Sequence, residues 1–131
     1  AQRTSPLEAQ YDAYTALGSV KVSGRLSLAE NIADHAGLET AWHAFQATAP
    51  GKDKIEGHTP AQRFFLAWAQ IWRRNYLDRE LTLLLRTDVH APAKYRVNGP
   101  LANNTAFADA FACKPGKNSF VHATDKRIRV W

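Results

Sequence analysis

The stretch Arg63-Phe64-Phe65-Leu66-Ala67-Trp68-Ala69-Gln70-Ile71-Trp72 restricts the possible folds more than any other part of the chain. It follows Thr59-Pro60, a typical helix start with Thr as N-cap and Pro at the first helical position. The run is apolar on nearly every side of a helix, and such a helix is buried over most of its surface. A chain of 131 residues buries only one modest core. We therefore expect further protein to cover this helix; the alternative is an ordinary central core helix.

The rest of the chain predicts a mainly α fold with short extended segments, forming one domain or part of one. Apolar residues at helical spacing predict four further helices, at residues 7–17, 28–48, 77–85 and 103–111. The helix at 28–48 is expected to have Ser27 as its cap and to bury Ile32, Ala36, Trp42, Phe45 and Ala49. The helix at 103–111 should be capped by Asn103 or Asn104.

Three segments lack helical spacing. Residues 20–22 and 25–28 alternate around Ser23-Gly24 and predict a short hairpin. Residues 87–100 are polar and rich in helix breakers, which predicts irregular structure. Residues 127–131 should be extended, and we expect the terminal Trp131 to be held against the protein, since free tails are seldom apolar.

Composition excludes several classes of protein. The net charge of +5 admits an acidic partner, but the basic residues are scattered and no nucleic-acid motif frames them. No run approaches the roughly 18 apolar residues of a membrane span, and the N-terminus lacks a signal peptide's apolar core. The absence of Met suggests a processed or excised piece, and the single Cys113 excludes an internal disulfide.

Glu30 and Asp34 are the first candidate functional residues. Four residues apart on a helix, they share one face and lie one turn apart. Two carboxylates so close repel each other unless a cation or a histidine lies between them. The alternative is a solvated acidic edge at a helix N-terminus, which the helix dipole favours.

His90 lies in an expected loop two residues after Asp88, followed by Arg96. A nearby carboxylate fixes the tautomer of an imidazole and favours its protonated form, which can donate to an oxyanion. A surface ion pair is the alternative. A catalytic zinc needs three protein ligands, commonly supplied by His-Glu-x-x-His, and no two histidines here are four apart. This chain alone therefore does not supply that type of site.

The string Glu30-Asn31-Ile32-Ala33-Asp34 resembles the second zinc motif of the neprilysin and endothelin-converting-enzyme family of zinc metallopeptidases. The resemblance continues in collinear order over nearly the whole chain and ends at Arg129-Val130-Trp131, where the family's polypeptide ends. The other matching positions are 10–11, 24–29, 37–38, 41, 62–72, 87–92, 96–99, 107, 111 and 113.

The resemblance implies that residues 1–131 are the C-terminal part of a thermolysin-like catalytic domain, starting after the helix with His-Glu-x-x-His. Glu30 would then be the third ligand of one zinc ion, and Asp34 would orient a zinc-bound histidine. His90, supported by Asp88, would stabilise the tetrahedral intermediate. Arg96 would bind the substrate backbone, with Arg129 a weaker substrate-binding candidate. The missing upstream part would supply two His ligands and the Glu that activates the zinc-bound water.

The resemblance also implies partners and a location. The expected partners are a peptide substrate and the remainder of the catalytic domain, or a second copy of this chain held through exposed apolar surface. The expected location is a compartment outside the cytoplasm. The isolated chain should be inactive. Ala29 stands where the family usually has Gly, and Arg73 and Ile128 replace cysteines of vertebrate members, which points to a bacterial-type member. The family's lid domain is absent, so peptide length is not fixed. The alternative function is a non-catalytic helical interaction module derived from a peptidase.

Overall fold

The computed structural model describes residues 4–116 and 119–130. Its helices are α1 (Ser5–Asp12), α2 (Leu28–Ala47), α3 (Pro60–Ile71), α4 (Asp78–Thr87), α5 (Ala93–Asn103) and α6 (Thr105–Ala110), with a short 3-10 helix at Thr124–Lys126. Strands β1 (Thr15–Leu17) and β2 (Val20–Lys21) pair antiparallel. The predicted mainly α fold is confirmed. None of the helices described is long and apolar enough to cross a membrane.

Helix α2 is the central element, and its buried face is polar. Its buried residues are Asn31, Asp34, His35 and Leu38. The predicted apolar face is therefore wrong in detail: Ile32, Ala36, Trp42 and Phe45 are only half-buried, and Ala49 is exposed. Ser27 precedes α2 without capping it, because its hydroxyl donates to the Ser23 carbonyl and accepts from the Asn31 amide.

Helix α3 begins as predicted, with Thr59 and Gln62 forming a capping box. Phe65 is the buried residue of α3, and Ile71 is 66% exposed. Helix α3 thus contributes Phe65 to a core cluster but is not buried on most sides within the described residues, and its coverage by further protein stays a prediction.

Two apolar clusters form the core. One joins α1, α4, α5 and the residue that follows β2 through Leu7, Tyr11, Val22, Leu85 and Tyr95, and Ile128 and Val130 pack against it. The other joins α2, α3 and α5 through Leu38, Phe65 and Leu101. The C-terminal residues 127–130 are thus held against the protein, while Trp131 lies outside the described residues.

The N-terminal helix and hairpin differ from prediction. Helix α1 ends at Asp12, five residues early, because residues 15–17 form β1 instead. Gly18, at φ +54°, makes the tight turn into β2. Residues 25–28 do not form the second strand of the hairpin, since β2 pairs with β1. The predicted helices over 28–48 and 77–85 are confirmed as α2 and α4, and Asn104 caps α6 by accepting from the Phe107 N–H.

The prediction of irregular structure over 87–100 is wrong from Ala93 onward, where α5 begins. Pro100 lies inside this helix. Gly99 is required by packing: a Cβ there would lie 2.5 Å from Cζ of Tyr11 and closer still to its hydroxyl. Tertiary contact with α1 therefore overrides the breaker signal of Gly99-Pro100.

Candidate functional site

Five of the six predicted site residues meet at the N-terminal half of α2. Glu30 and Asp34 lie on this helix, Asp88 and His90 on the connection between α4 and α5, and Arg96 on α5. The structure brings these five side chains together from three segments. It does so because α2 packs against α5 more extensively than any other two helices pack.

Arg96 binds Asp34 with both arms of its guanidinium. Nε and Nη2 donate to the two carboxylate oxygens, each at 2.7 Å. The side chains are only 15% and 6% exposed. The hydrogen bonds to Asp34 raise the pKa of Arg96, so the pair is permanently charged on the arginine side. The guanidinium also lies 3.9 Å above the Trp72 ring, an arrangement that stabilises a cation on an indole.

His90 lies between Asp88 and Glu30. Its Nδ1 is 2.7 Å from Asp88 Oδ1, and its Nε2 is 3.4 Å from Glu30 Oε2. The His90 backbone N–H also donates to Asp88 Oδ1 at 2.9 Å, and this bond is the largest cause of the lowered pKa of Asp88. An ionised Asp88 therefore fixes the proton on Nδ1 and turns Nε2 towards Glu30.

The repulsion expected between Glu30 and Asp34 is relieved in this arrangement. Asp34 has a cationic partner in Arg96, and Glu30 has an imidazole beside it. Asp34 is buried, so the reading of both residues as a solvated acidic edge does not describe it. Glu30 remains 37% exposed and can accept a further cationic partner.

A cavity of about 420 Å³ opens beside these residues. Its walls include Trp72, Tyr76, Asp88, His90, Pro92 and Arg96. Sequence reasoning placed Trp72 only in the apolar helix and missed its part in this wall. In the described chain, the Trp72 indole N–H is buried without a hydrogen-bond partner, which adds a donor close to the cavity. The sequence carries no signal for this role.

Arg129 lies elsewhere. It is exposed and lines a second cavity, of about 550 Å³, together with His35, Trp42 and Asn103. The structure therefore does not bring Arg129 to the group formed by Glu30, Asp34, Asp88, His90 and Arg96. Its role in substrate binding stays a prediction.

Glu30 fits a metal site as one ligand of several. A carboxylate oxygen is an ordinary zinc ligand beside two histidines, and Glu30 is accessible enough to serve. Over residues 4–116 and 119–130, no group of three His, Cys, Asp or Glu side chains could hold a metal ion. The remaining ligands of such a site have to come from outside these residues.

Comparison with known proteins shows that the chain is similar to the members of one protein family. Residues 1–128 match the profile described as Peptidase family M13. The chain is 37% identical to Neprilysin-3 of Drosophila melanogaster over 99% of its length, and 36% identical to human Neprilysin over 87%. These matches cover only 17% and 16% of the two relatives, so the chain spans about a sixth of their length.

Solved structures of two bacterial proteins are similar to this chain over nearly its whole length. The Mycobacterium tuberculosis zinc metalloprotease Zmp1, in complex with an inhibitor, matches 99% of this chain with a TM-score of 0.92 and 35% identity. PepO from Lactobacillus rhamnosis matches 99% with a TM-score of 0.81 and 33% identity. The matched parts are 21% and 19% of those chains. Relatives occur in animals and in bacteria, so the bacterial origin expected from Arg73 and Ile128 stays a prediction.

Proposed function

Because the chain belongs to peptidase family M13, we propose that it forms part of a zinc-dependent metalloendopeptidase that hydrolyses short peptides. The observation that carries the proposal is the meeting of Glu30, Asp34, His90 and Arg96 beside an open cavity. The family resemblance assigns a role in peptide hydrolysis to each of these residues. Their mutual distances allow all of those roles at once.

Glu30 is the proposed zinc ligand of this chain. Two histidines and a general-base glutamate from the upstream part of the catalytic domain would complete the site. Zinc, when bound, polarises a carbonyl and lowers the pKa of water. The half-exposed carboxylate of Glu30 is suited to this role because no arginine or lysine in the described residues already pairs with it.

Asp34 would orient a zinc-bound histidine, and Arg96 would bind the substrate backbone. Each carboxylate oxygen of Asp34 has a second lone pair, which can accept from the ring N–H of a zinc-binding histidine. Arg96 uses two of its five N–H donors on Asp34, and the others can donate to a peptide carbonyl in the cavity.

His90 is placed to stabilise negative charge. Asp88 accepts from Nδ1 and stabilises a positive ring, which leaves an Nε2–H donor beside Glu30. An oxyanion that forms next to the carboxylate ligand would lie within reach of this donor. Asp88 thus acts through His90 rather than on the substrate.

The parent enzyme would also need the rest of its catalytic domain as a partner. The exposed apolar side chains of this chain, including Ile71 at 66% and Leu77 at 70%, are available to pack against it or to drive self-association. The family resemblance further suggests action outside the cytoplasm. By itself this chain should neither bind zinc stoichiometrically in calorimetry nor cleave peptides.

A chimera tests the proposal. The equivalent segment of the M. tuberculosis Zmp1, which matches 99% of this chain, would be replaced by residues 1–131. Zinc content is measured by elemental analysis, and hydrolysis is measured with short internally quenched peptides. We expect one zinc per molecule and turnover. Glu30→Gln should lose the zinc, and His90→Gln should keep it while kcat falls about 100-fold to 1000-fold.

Glu39→Gln is the matched control, because it makes the same change on the same helix at a carboxylate of similar exposure. It should keep both zinc and activity. A folded chimera that binds zinc without hydrolysing any peptide would contradict the proposal and favour a non-catalytic helical interaction module. Equal zinc loss in both glutamate variants would contradict the assignment of Glu30.

A further inference from the structure

The side chain of Asn103, at the end of α5, joins four separate parts of the chain. Its Nδ2 donates to Gln10 Oε1 on α1 at 2.8 Å and lies 3.1 Å from His35 Nε2 on α2. Its Oδ1 accepts from the Ile128 backbone N–H at 2.9 Å and from His122 Nδ1 at 3.0 Å. Nδ2 also lies 3.3 Å from the Gly99 carbonyl of its own helix.

The orientation of this amide follows from the chemistry of its partners. A backbone N–H can only donate, so the atom facing Ile128 has to be the oxygen. The nitrogen therefore faces His35 and Gln10. Turning the amide over would bring two N–H donors against Ile128 and His122 and would break both bonds.

The tautomer of His35 follows in turn. Its Nδ1 lies 2.8 Å from the Asn31 carbonyl, which only accepts, so Nδ1 carries a proton. Its Nε2 faces the Asn103 NH2 group, which only donates, so Nε2 has to be unprotonated. His35 is thus neutral in this arrangement. A second proton on the ring would place two donors against each other at 3.1 Å.

This contact lies next to the candidate site. His35 directly follows Asp34 on α2, and Asn103 follows Arg96 by seven residues, two turns along the same face of α5. The α2–α5 packing therefore has two polar links, Arg96 with Asp34 and Asn103 with His35. Both links join the same two helices, and the second lies two turns along α5 from the first.

We propose that Asn103 is a positioning residue for this site: it holds Arg96 on Asp34 by tying α5 to a neutral His35, and protonation of His35 releases this tie. The consequence for peptide hydrolysis rests on the function proposed above. The consequence for the Arg96–Asp34 pair does not depend on that function.

The pKa of His35 depends on its burial and on the groups packed around its ring. Burial is the largest effect and lowers its pKa, while the Asn31 carbonyl and the Asp34 carboxylate raise it. The Tyr11 ring packs edge-on at 6.5 Å from α1. Glu39, His43, Asp109 and Arg129 line the cavity that His35 also lines.

The sign of the pH effect follows. Since the pKa of folded His35 lies below 6.5, the unfolded chain binds more protons in the interval between the two values. The neutral ring's contribution to stability is therefore complete above pH 6.5 and is lost as pH falls through the folded pKa. Burial lowers the pKa of His122 as well, but its Nδ1 donates to Asn103 whether the ring is neutral or charged.

Nuclear magnetic resonance on the full 131-residue chain tests the proposal. Ring nitrogen shifts should show the Nδ1–H tautomer at His35. The protection of the Arg96 Nε–H against hydrogen exchange, measured relative to a free arginine side chain at the same pH, should be high at pH 7.5 and should fall with the same midpoint as the His35 titration. An Nε2–H tautomer, or an Arg96 midpoint that is independent of His35, would overturn the proposal without any variant being made.

Asn103→Asp provides a test that a merely structural role would not pass. A carboxylate at this position accepts from a protonated His35, so protection of Arg96 should persist about one pH unit or more further into acid, a tenfold difference in proton concentration. Asn98→Asp, the same change on the same helix, should leave the midpoint in place. If Asn103→Asp and Asn98→Asp lost the protection of Arg96 at the same pH, the proposal would be contradicted.

In the Zmp1 chimera, Asn103→Asp should shift the acid limb of the pH profile of kcat towards lower pH without loss of zinc. An unshifted limb in an active chimera would refute the link to catalysis. If the chimera is inactive, the peptidase proposal fails, and the exchange experiment still decides the role of Asn103.

Discussion

Replacing Arg96 by alanine should cost more stability than any substitution of an exposed arginine. The guanidinium forms two 2.7 Å bonds to Asp34, and the two side chains are 15% and 6% exposed. Arg96→Ala therefore leaves a buried carboxylate without its partner. Removing one member of a buried pair costs about 3–5 kcal/mol, and loss of the stack on Trp72 adds up to about 2 kcal/mol.

The assay is urea unfolding of the 131-residue chain at pH 7.5, followed by circular dichroism. Arg96→Lys keeps the charge but loses the two-armed geometry, and we expect a cost of about 1–3 kcal/mol. Arg79→Ala, on the exposed surface of α4, is the control and should change the free energy of unfolding by less than about 0.5 kcal/mol.

A double variant separates the pair from the rest of the contacts. Asp34→Asn combined with Arg96→Ala should cost clearly less than the sum of the two single changes, because neither charge is then left buried alone. Strict additivity, or a cost for Arg96→Ala as small as that for Arg79→Ala, would refute the view that a buried ion pair joins α2 to α5.

Two further substitutions test the packing and capping of α5 and α6. Gly99→Ala should destabilise by about 1–3 kcal/mol in urea unfolding, because the new methyl group meets the Tyr11 ring, whereas Gly37→Ala in the open surface of α2 should stabilise by about 0.5–1 kcal/mol. Equal effects at the two glycines would contradict the close contact. Asn104→Ala should lower stability by about 1 kcal/mol in thermal melts, since its side chain accepts from the Phe107 N–H; no loss would show that this cap is dispensable.

Helix boundaries were predictable where local chemistry decides them. Thr59-Pro60 marks the start of α3 because the hydroxyl accepts from Gln62 and proline needs no N–H partner there. Asn104 starts α6 by the same kind of bond. These signals act over three residues, so the sequence contains them in full.

Helix α5 was not predictable because its stabilising contacts are distant in sequence. Gly99 and Pro100 lower the local preference for a helix, and Gly99 is tolerated because it lets Tyr11 pack against the backbone, 88 positions earlier in the chain. The same applies to β1: residues 15–17 continue the helical spacing of α1 but pair with β2 instead. In both cases packing outweighs propensity.

The candidate site was likewise predictable only where its residues are close together in sequence. The spacing of Glu30 and Asp34 predicts that they share a helix face, and the interval from Asp88 to His90 predicts their contact. The bond between Asp34 and Arg96 spans 62 positions, and no local pattern indicates it. The resemblance to a peptidase family named these residues, while their geometry required the fold.

The polar buried face of α2 connects the fold to the proposed function. Asn31, Asp34 and His35 are all buried, and apolar residues of similar size there would cost less desolvation. Their polar atoms are nevertheless paired, with Asn31 Oδ1 the exception among the buried side-chain atoms that the structure describes on this helix. On a helix that served only the core, Ile32 and Trp42 would be fully buried, as its spacing predicts; here they are half-buried at the edges of the two clusters. Helix α2 instead directs its carboxylate and imidazole towards α5, which is the arrangement that a helix holding a charged site requires.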